Sequence, residues 1–189
     1  MSRLDLIAGP NGAGKTTLYE RVIAPDRPGL PFVNADTIAS DRFPGRETEQ
    51  GYVASEIAAT ARAALIAARI DFCSETVFSH ESKVRLVATA TAAGYEVVLH
   101  VVMIPLTLSG PRVAARFASG GHDVPVAKLE PRYQRLWPHV VTAVPQCHRA
   151  VFYDNSSDDG PSEVASYRYA VADYSPRWPD WTPASLLAL

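Results

Sequence analysis

The sequence predicts a three-layer α/β fold, a central and mainly parallel sheet of five or six strands carrying a helical lid. Three observations predict it. Short apolar runs alternate with helix-patterned segments, the order expected of a parallel sheet joined by crossover helices. The first run, Arg3 to Ala8, leads straight into a glycine-rich loop and a helix. The run YEVVLHVVMI is almost continuous in β-branched and apolar residues, as a strand covered on both faces must be.

Taken in order, Arg3 to Ala8 is a buried strand that stops at Gly9, and Lys15 to Ile23 is a helix closed before Pro25. DRPGLP is turn material, and FVNAD is a second strand ending at Asp36. Glu47 to Arg69 is a long alanine-rich helix with Val53, Ile57, Ala61, Leu65 and Ala68 on one stripe. DFCSET is the third strand. Ser82 to Ala93 is a helix closed by Gly94, and YEVVLHVVMI is the central strand. Pro111 to Ser119 is a helix ending at Gly120 and Gly121, after which HDVP restarts helical structure that Pro131 should kink or break. RAVFYDN is a fifth strand, SSDDGPS a loop, and EVASYRYAVADY one further strand at the sheet edge. A tail from about residue 174, rich in Pro and Trp, should pack as irregular structure.

A chain of 189 residues fits one domain, residues 1–189, with the lid at about 109–138. Its 18 Lys and Arg against 20 Asp and Glu supply no bulk attraction for nucleic acid or an anionic membrane. Cys73 and Cys147 are far apart and outside any C-x-x-C pair, which fits buried thiols in a reducing cytoplasm, though a disulfide between them stays open. No apolar run reaches the ~18 residues of a membrane span, and MSRLDLIAGP leaves no room for a signal peptide. The expected location is the cytoplasm.

Gly9-Pro10-Asn11-Gly12-Ala13-Gly14-Lys15-Thr16 satisfies G-x-x-x-x-G-K-[ST], the Walker A phosphate loop, and Thr17 follows it. It lies after a strand and before a helix, where such a loop must lie. Its backbone N–H groups converge on a phosphate at the positive end of the helix, Lys15 reaches the β- and γ-phosphates, and the Thr16 hydroxyl ligates Mg²⁺. The fold class is therefore a P-loop NTPase; that it is of the kinase type is what the family resemblance given below implies.

The residues beyond the loop select among P-loop functions. EVVLHVVMIP ends in no acid, which weakens a transporter-type ATPase, and no N-K-x-D reads guanine. Asp36, at the end of the second strand, can face the γ-phosphate and accept the proton of an attacking hydroxyl; the competing role is an N-cap for DTIASDR. Glu75 and Thr76 end the third strand and offer an acceptor and a donor to a polyhydroxylated substrate, or else cap the helix near Ser82. Arg112 with Arg116 and Arg132 with Arg135 flank ASGGHDVP, so two helices hinged at Gly120-Gly121 would bring cations to the transferring phosphoryl group; a solvated face is the plain alternative. His122 reads as a loop hydrogen-bonder. Asn155 and Ser156 stand where P-loop kinases hold adenine, or in a simple turn.

GPNGAGKTT, FVNAD, SETVFSH, RVAARFASGGHDVP with RYQR, and FYDNS together resemble the zeta toxin family, in its branch of stand-alone ATPases or kinases, over about residues 4 to 156. The resemblance implies a kinase with ATP and Mg²⁺ as cofactors, a sugar hydroxyl such as that of UDP-N-acetylglucosamine as acceptor, and an antitoxin as partner. It carries the phosphate and magnesium roles to Lys15 and Thr16, the catalytic base to Asp36, the sugar-nucleotide contact to Glu75 and Thr76, and the γ-phosphate contacts to Arg116 and Arg132, with Arg135 in reserve if the lid register shifts. Pro131 and the short chain depart from the family pattern. The expected function is ATP-dependent phosphorylation of a small-molecule hydroxyl; a nucleotide-dependent switch or binding module without an acceptor competes with it, and a nucleic-acid end kinase is disfavoured by the charge balance.

Overall fold

The computed structural model describes residues 1–118 and 126–189. Its sheet has seven strands in the order β2-β3-β1-β4-β5-β6-β7: Arg3–Ala8 (β1), Phe32–Asn34 (β2), Phe72–Thr76 (β3), Glu96–Met103 (β4), Arg149–Asp154 (β5), Ser162–Arg168 (β6) and Val171–Ala172 (β7). The first five pair in parallel, and β6 and β7 close the edge antiparallel. The sheet exceeds the expected five or six strands because EVASYRYAVADY is a hairpin. Tyr169 and Ala170 turn it with φ of 49° and 63°, the positive values that a tight two-residue hairpin turn requires at both central positions.

The helices are Lys15–Leu18 (α1), Ala35–Arg42 (α2), Glu47–Ala67 (α3), Ser82–Ala92 (α4), Leu106–Ala118 (α5) and Leu129–Ala143 (α6), and α1 runs on as one π-helical turn over Tyr19–Ile23. Along β1 side chains alternate between faces. Leu4, Leu6 and Ala8 join the larger core with Ala58 and Ile66 of α3, Val87 and Ala90 of α4, and Leu136, Trp137 and Val140 of α6. Ile7 faces the smaller core, with Leu18 and Ile23 above Cys73 and Val102. The sheet is thus covered on both faces, which is why β4 reads as an unbroken apolar run.

Three expectations change on contact with the structure. Pro131 breaks nothing, since it is the third residue of α6, in the first turn, where its missing N–H has no helical partner to lose. The helix placed at Pro111 begins instead at Leu106 and carries Pro111 inside it. The buried stripe of α3 is Ala54, Ala58, Arg62 and Ile66, one position later than the apolar pattern suggests, with an arginine on it.

The tail packs Trp178 edge-on to Phe152 at 5.2 Å between ring centres and ends in a 3-10 helix over Ala184–Ala188. Cys73 and Cys147 are free and buried, and burial pushes both thiols up, Cys147 to about 12.

A buried carboxylate ties the segment after α1 to the sheet. Asp5 of β1 is fully buried and receives Arg3 at 2.6 Å, Arg27 at 2.6 Å and His100 at 3.0 Å. Burial alone would raise its pKa; the hydrogen bonds from His100 and Arg3 overcome that and bring it from 3.8 to about 2. A carboxyl depressed in the folded state stabilises fully above its unfolded pKa, and this contribution is lost as pH falls through the folded one. Asp5 should therefore contribute about 2 kcal/mol that disappears between roughly pH 4 and pH 2. Urea denaturation across that range checks it, and Asp5→Asn should flatten the pH dependence there.

Candidate active site

The parallel strands end together. Ala8 aligns with Thr76, Asn34 with Glu75, and Met103 with Asp154, so the loops that follow share one rim of the sheet, the edge where open α/β sheets bind ligands. β1 lies between β3 and β4, and the loop Gly9 to Gly14 rises from its end.

Backbone geometry explains the glycines of this loop. A Cβ on Gly9 would come within 2.4 Å of the Val102 carbonyl oxygen, and Gly14 stands at φ +84° with the Asn155 amide 2.5 Å from where a Cβ would be. A side chain at Gly9 displaces the loop, and one at Gly14 is strained by its φ and pushes the Asn155 amide aside. The loop is fastened from outside as well. Ser109 of α5 donates to the Asn11 carbonyl at 2.7 Å, and Asn155, just past β5, donates to the Ala13 carbonyl at 2.8 Å.

Lys15 is buried and donates to the Pro10 carbonyl at 3.0 Å, folded over its own loop, with Glu75 at 3.8 Å. Burial pulls its ammonium below the ordinary lysine value; Glu75 and Asp36 oppose this, and Arg116 adds to it. Thr16 donates to Glu75 at 2.7 Å, and Asn34 donates to the same oxygen at 3.0 Å. Glu75 is therefore joined to the phosphate loop from the neighbouring strand β3. Neither Glu75 nor Thr76 caps α4, whose N-cap residue is Glu81 without a side-chain bond; Thr76 instead accepts the Phe78 N–H at 3.2 Å.

β2 stops at Asn34, so Asp36 lies in the first turn of α2 rather than at a strand end. Asn34 is the N-cap, its side-chain oxygen accepting the Asp36 N–H at 2.7 Å. With the cap supplied by Asn34, the exposed Asp36 carboxylate has no hydrogen bond or ion pair among the described residues and lines the cleft.

That cleft encloses about 360 Å³ and is lined by Lys15, Asp36, Glu75, Thr76 and Arg132 among others. Arg132 comes from the start of α6, whereas Arg135 is exposed and is not among the lining residues. Arg116, on the exposed end of α5, is close enough to act on the Lys15 charge. Arg112 is engaged elsewhere, donating to the carbonyls of Asn155 at 2.8 Å and Ser156 at 3.5 Å. Gly120, Gly121, His122 and the rest of the GGHDVP motif lie outside the described residues. Of the proposed lid, α6 belongs to the main core through Tyr133, Leu136 and Trp137.

The oxygen donors beside the loop suit a hard divalent cation. The Thr16 hydroxyl and the Glu75 carboxylate meet at 2.7 Å, and no cluster of three or more His, Cys, Asp or Glu exists among the described residues. This matches the usual habit of Mg²⁺, held by one or two protein oxygens together with phosphate and water.

Sequence reasoning overlooked Asn34, Arg62 and Lys83. The signal for Arg62 was present, because an arginine four residues from Ala58 and from Ile66 sits on a helix face otherwise made of small and apolar residues.

Comparison with family models matches residues 4–137 to the AAA domain family, well over half of the chain. The chain belongs to that family. Among solved structures, a chain of the AvrRxo1-ORF1:ORF2 complex with ATP superposes with a TM-score of 0.73 at 16% identity, covering 93% of this chain and 61% of that one. The PezAT chromosomal toxin-antitoxin system of Streptococcus pneumoniae gives 0.63 at 17% identity, over 88% and 72%. The Pnkp1/Rnl/Hen1 RNA repair complex gives 0.57 at 19%, over 74% and 45%. This AAA domain chain thus spans less than two thirds of the AvrRxo1 chain it resembles. A comparison with curated proteins found no match. The likenesses establish a three-layer P-loop fold held in common with a toxin-antitoxin system, in line with the zeta toxin resemblance of its motifs. Among the described residues no helix is long and apolar enough to cross a membrane.

Proposed function

We propose that the protein is an ATP-dependent kinase that transfers the γ-phosphoryl group to a hydroxyl of a small molecule. The observation that carries this reading is the uncommitted Asp36 carboxylate, facing a cleft that Lys15 and Arg132 also line. Gly9 to Gly14 cradle the β-phosphate with backbone N–H groups, and Lys15 leaves the Pro10 carbonyl to pair with the β- and γ-phosphates. Thr16 and Glu75 would hold Mg²⁺, which when bound would neutralise charge on the phosphates. Asp36 accepts the proton of the acceptor hydroxyl as its oxygen attacks the γ-phosphorus, the bond to the β,γ-bridging oxygen breaks to leave ADP, and Arg116 and Arg132 stabilise the transferring group.

Thr76 remains the residue best placed to bond the acceptor, whereas the ties of Glu75 to Thr16 and Asn34 support a role on the metal side. The Asn155 side chain, bonded to Ala13, supports the loop from the flank where adenine would lie. Residues 109–138 are read as the lid. Zeta toxins suggest a UDP-N-acetylsugar as the acceptor, and the toxin-antitoxin likeness suggests a neutralising protein partner in the cytoplasm.

The test is to incubate the protein with γ-labelled ATP and a fractionated metabolite pool. Label in a new phosphate ester supports the kinase. Label in inorganic phosphate alone supports the competing reading of an ATPase switch.

A further inference from the structure

The cleft holds more positive charge than the phosphate loop accounts for. Arg62 enters its lining from α3 and Lys83 from α4. Arg62 is only 5% exposed, and its one hydrogen bond among the described residues is a long contact of 3.5 Å to the Ser74 hydroxyl. That hydroxyl is already donating to the Val33 carbonyl at 2.9 Å. Among the described residues Arg62 forms no ion pair. Burial lowers its pKa, and no carboxylate offsets the effect, neither Glu75 nor Asp36.

A guanidinium has five donors in a fixed fork, and burying one without a counter-charge is strongly unfavourable unless a ligand supplies it. Lys83 repeats the pattern. It has no hydrogen bond from its side chain and no carboxylate partner among the described residues, and burial together with the Arg62 charge brings its pKa down to about 8. Two cations from separate helices therefore line one cleft, each disfavoured by burial and Lys83 also by the charge of Arg62.

We propose that Arg62 and Lys83 form an anion subsite on the acceptor side of the cleft, the place that takes a phosphate group of the acceptor. A phosphate brings close to two negative charges and three strong acceptor oxygens, enough to engage the fork of Arg62 and the ammonium of Lys83 together. A carboxylate has one charge for two cations. The proposal rests on the kinase reading for the word acceptor, but the subsite itself is a binding property that can be measured without turnover.

The experiment titrates inorganic phosphate into protein whose phosphate loop is saturated with a non-hydrolysable ATP analogue and Mg²⁺, following the ³¹P line width. Saturable binding is expected, weakened about tenfold or more in Arg62→Gln and in Lys83→Gln. Thermal melting of both variants monitors folding, and Lys83→Gln, on a half-buried position, carries the test alone if Arg62→Gln does not fold. No saturable binding in the native protein, binding unchanged in the folded variants, or acetate bound as tightly as phosphate overturns the proposal. Phosphate binding that persists in a protein unable to transfer from ATP counts against the kinase reading and leaves the subsite standing.

Discussion

Asp36→Asn should bind ATP as the native protein does and turn over on the order of 10²-fold more slowly or worse. The substitution keeps size and shape and removes only the ability to take a proton. Because Asn34, and not Asp36, caps α2, the change leaves the helix start intact. Stability should therefore move little, which separates a chemical effect from a structural one. Nucleotide binding followed by calorimetry and turnover followed by product formation check the two halves, and unchanged turnover would remove Asp36 from the mechanism.

Lys15→Ala should abolish measurable turnover and weaken ATP binding by at least an order of magnitude, since the buried cation proposed to pair with the β- and γ-phosphates is lost from a low-dielectric site. The ammonium is buried beside Glu75, whose side chain is only 9% exposed. Removing it leaves that carboxylate with neutral donors from Thr16 and Asn34, so some loss of stability should accompany the loss of binding. Calorimetric titration with ATP and Mg²⁺, paired with a thermal melt, measures both. Native-like binding and turnover would contradict the account of the loop.

The phosphate loop was legible because its requirements are local. Gly9 must be glycine because the Val102 backbone leaves no room for a Cβ and Gly14 because of its positive φ, and the strand before and helix after are short-range patterns. The five parallel strands were legible for the same reason, as apolar runs bounded by turn residues. What escaped depended on tertiary placement. The second strand ends two residues before Asp36 because the Asn34 side chain captures the Asp36 N–H, and an N-A-D sequence offers two residue types that cap equally well.

Pro131 looked disruptive because HDVP reads as the restart of helical structure, whereas α6 begins at Leu129. The absence of an acid after the central strand was sound but incomplete, since the acid beside the loop is Glu75, on the strand that the sheet order sets next to β1. Strand order is a global property that no window of sequence contains. Arg62 was hidden by the alanine-rich helix around it. Hydrophobic periodicity discounts an arginine, although here the arginine occupies the buried face and Val53 does not.

The central claim is that the γ-phosphoryl group goes to an organic hydroxyl and not to water. Turnover in ¹⁸O-labelled water with the metabolite pool present, read by mass spectrometry, tests this most directly. The account predicts phosphate on a new ester with no ¹⁸O incorporated, dependent on Asp36. Product found only as inorganic phosphate carrying one ¹⁸O would contradict it.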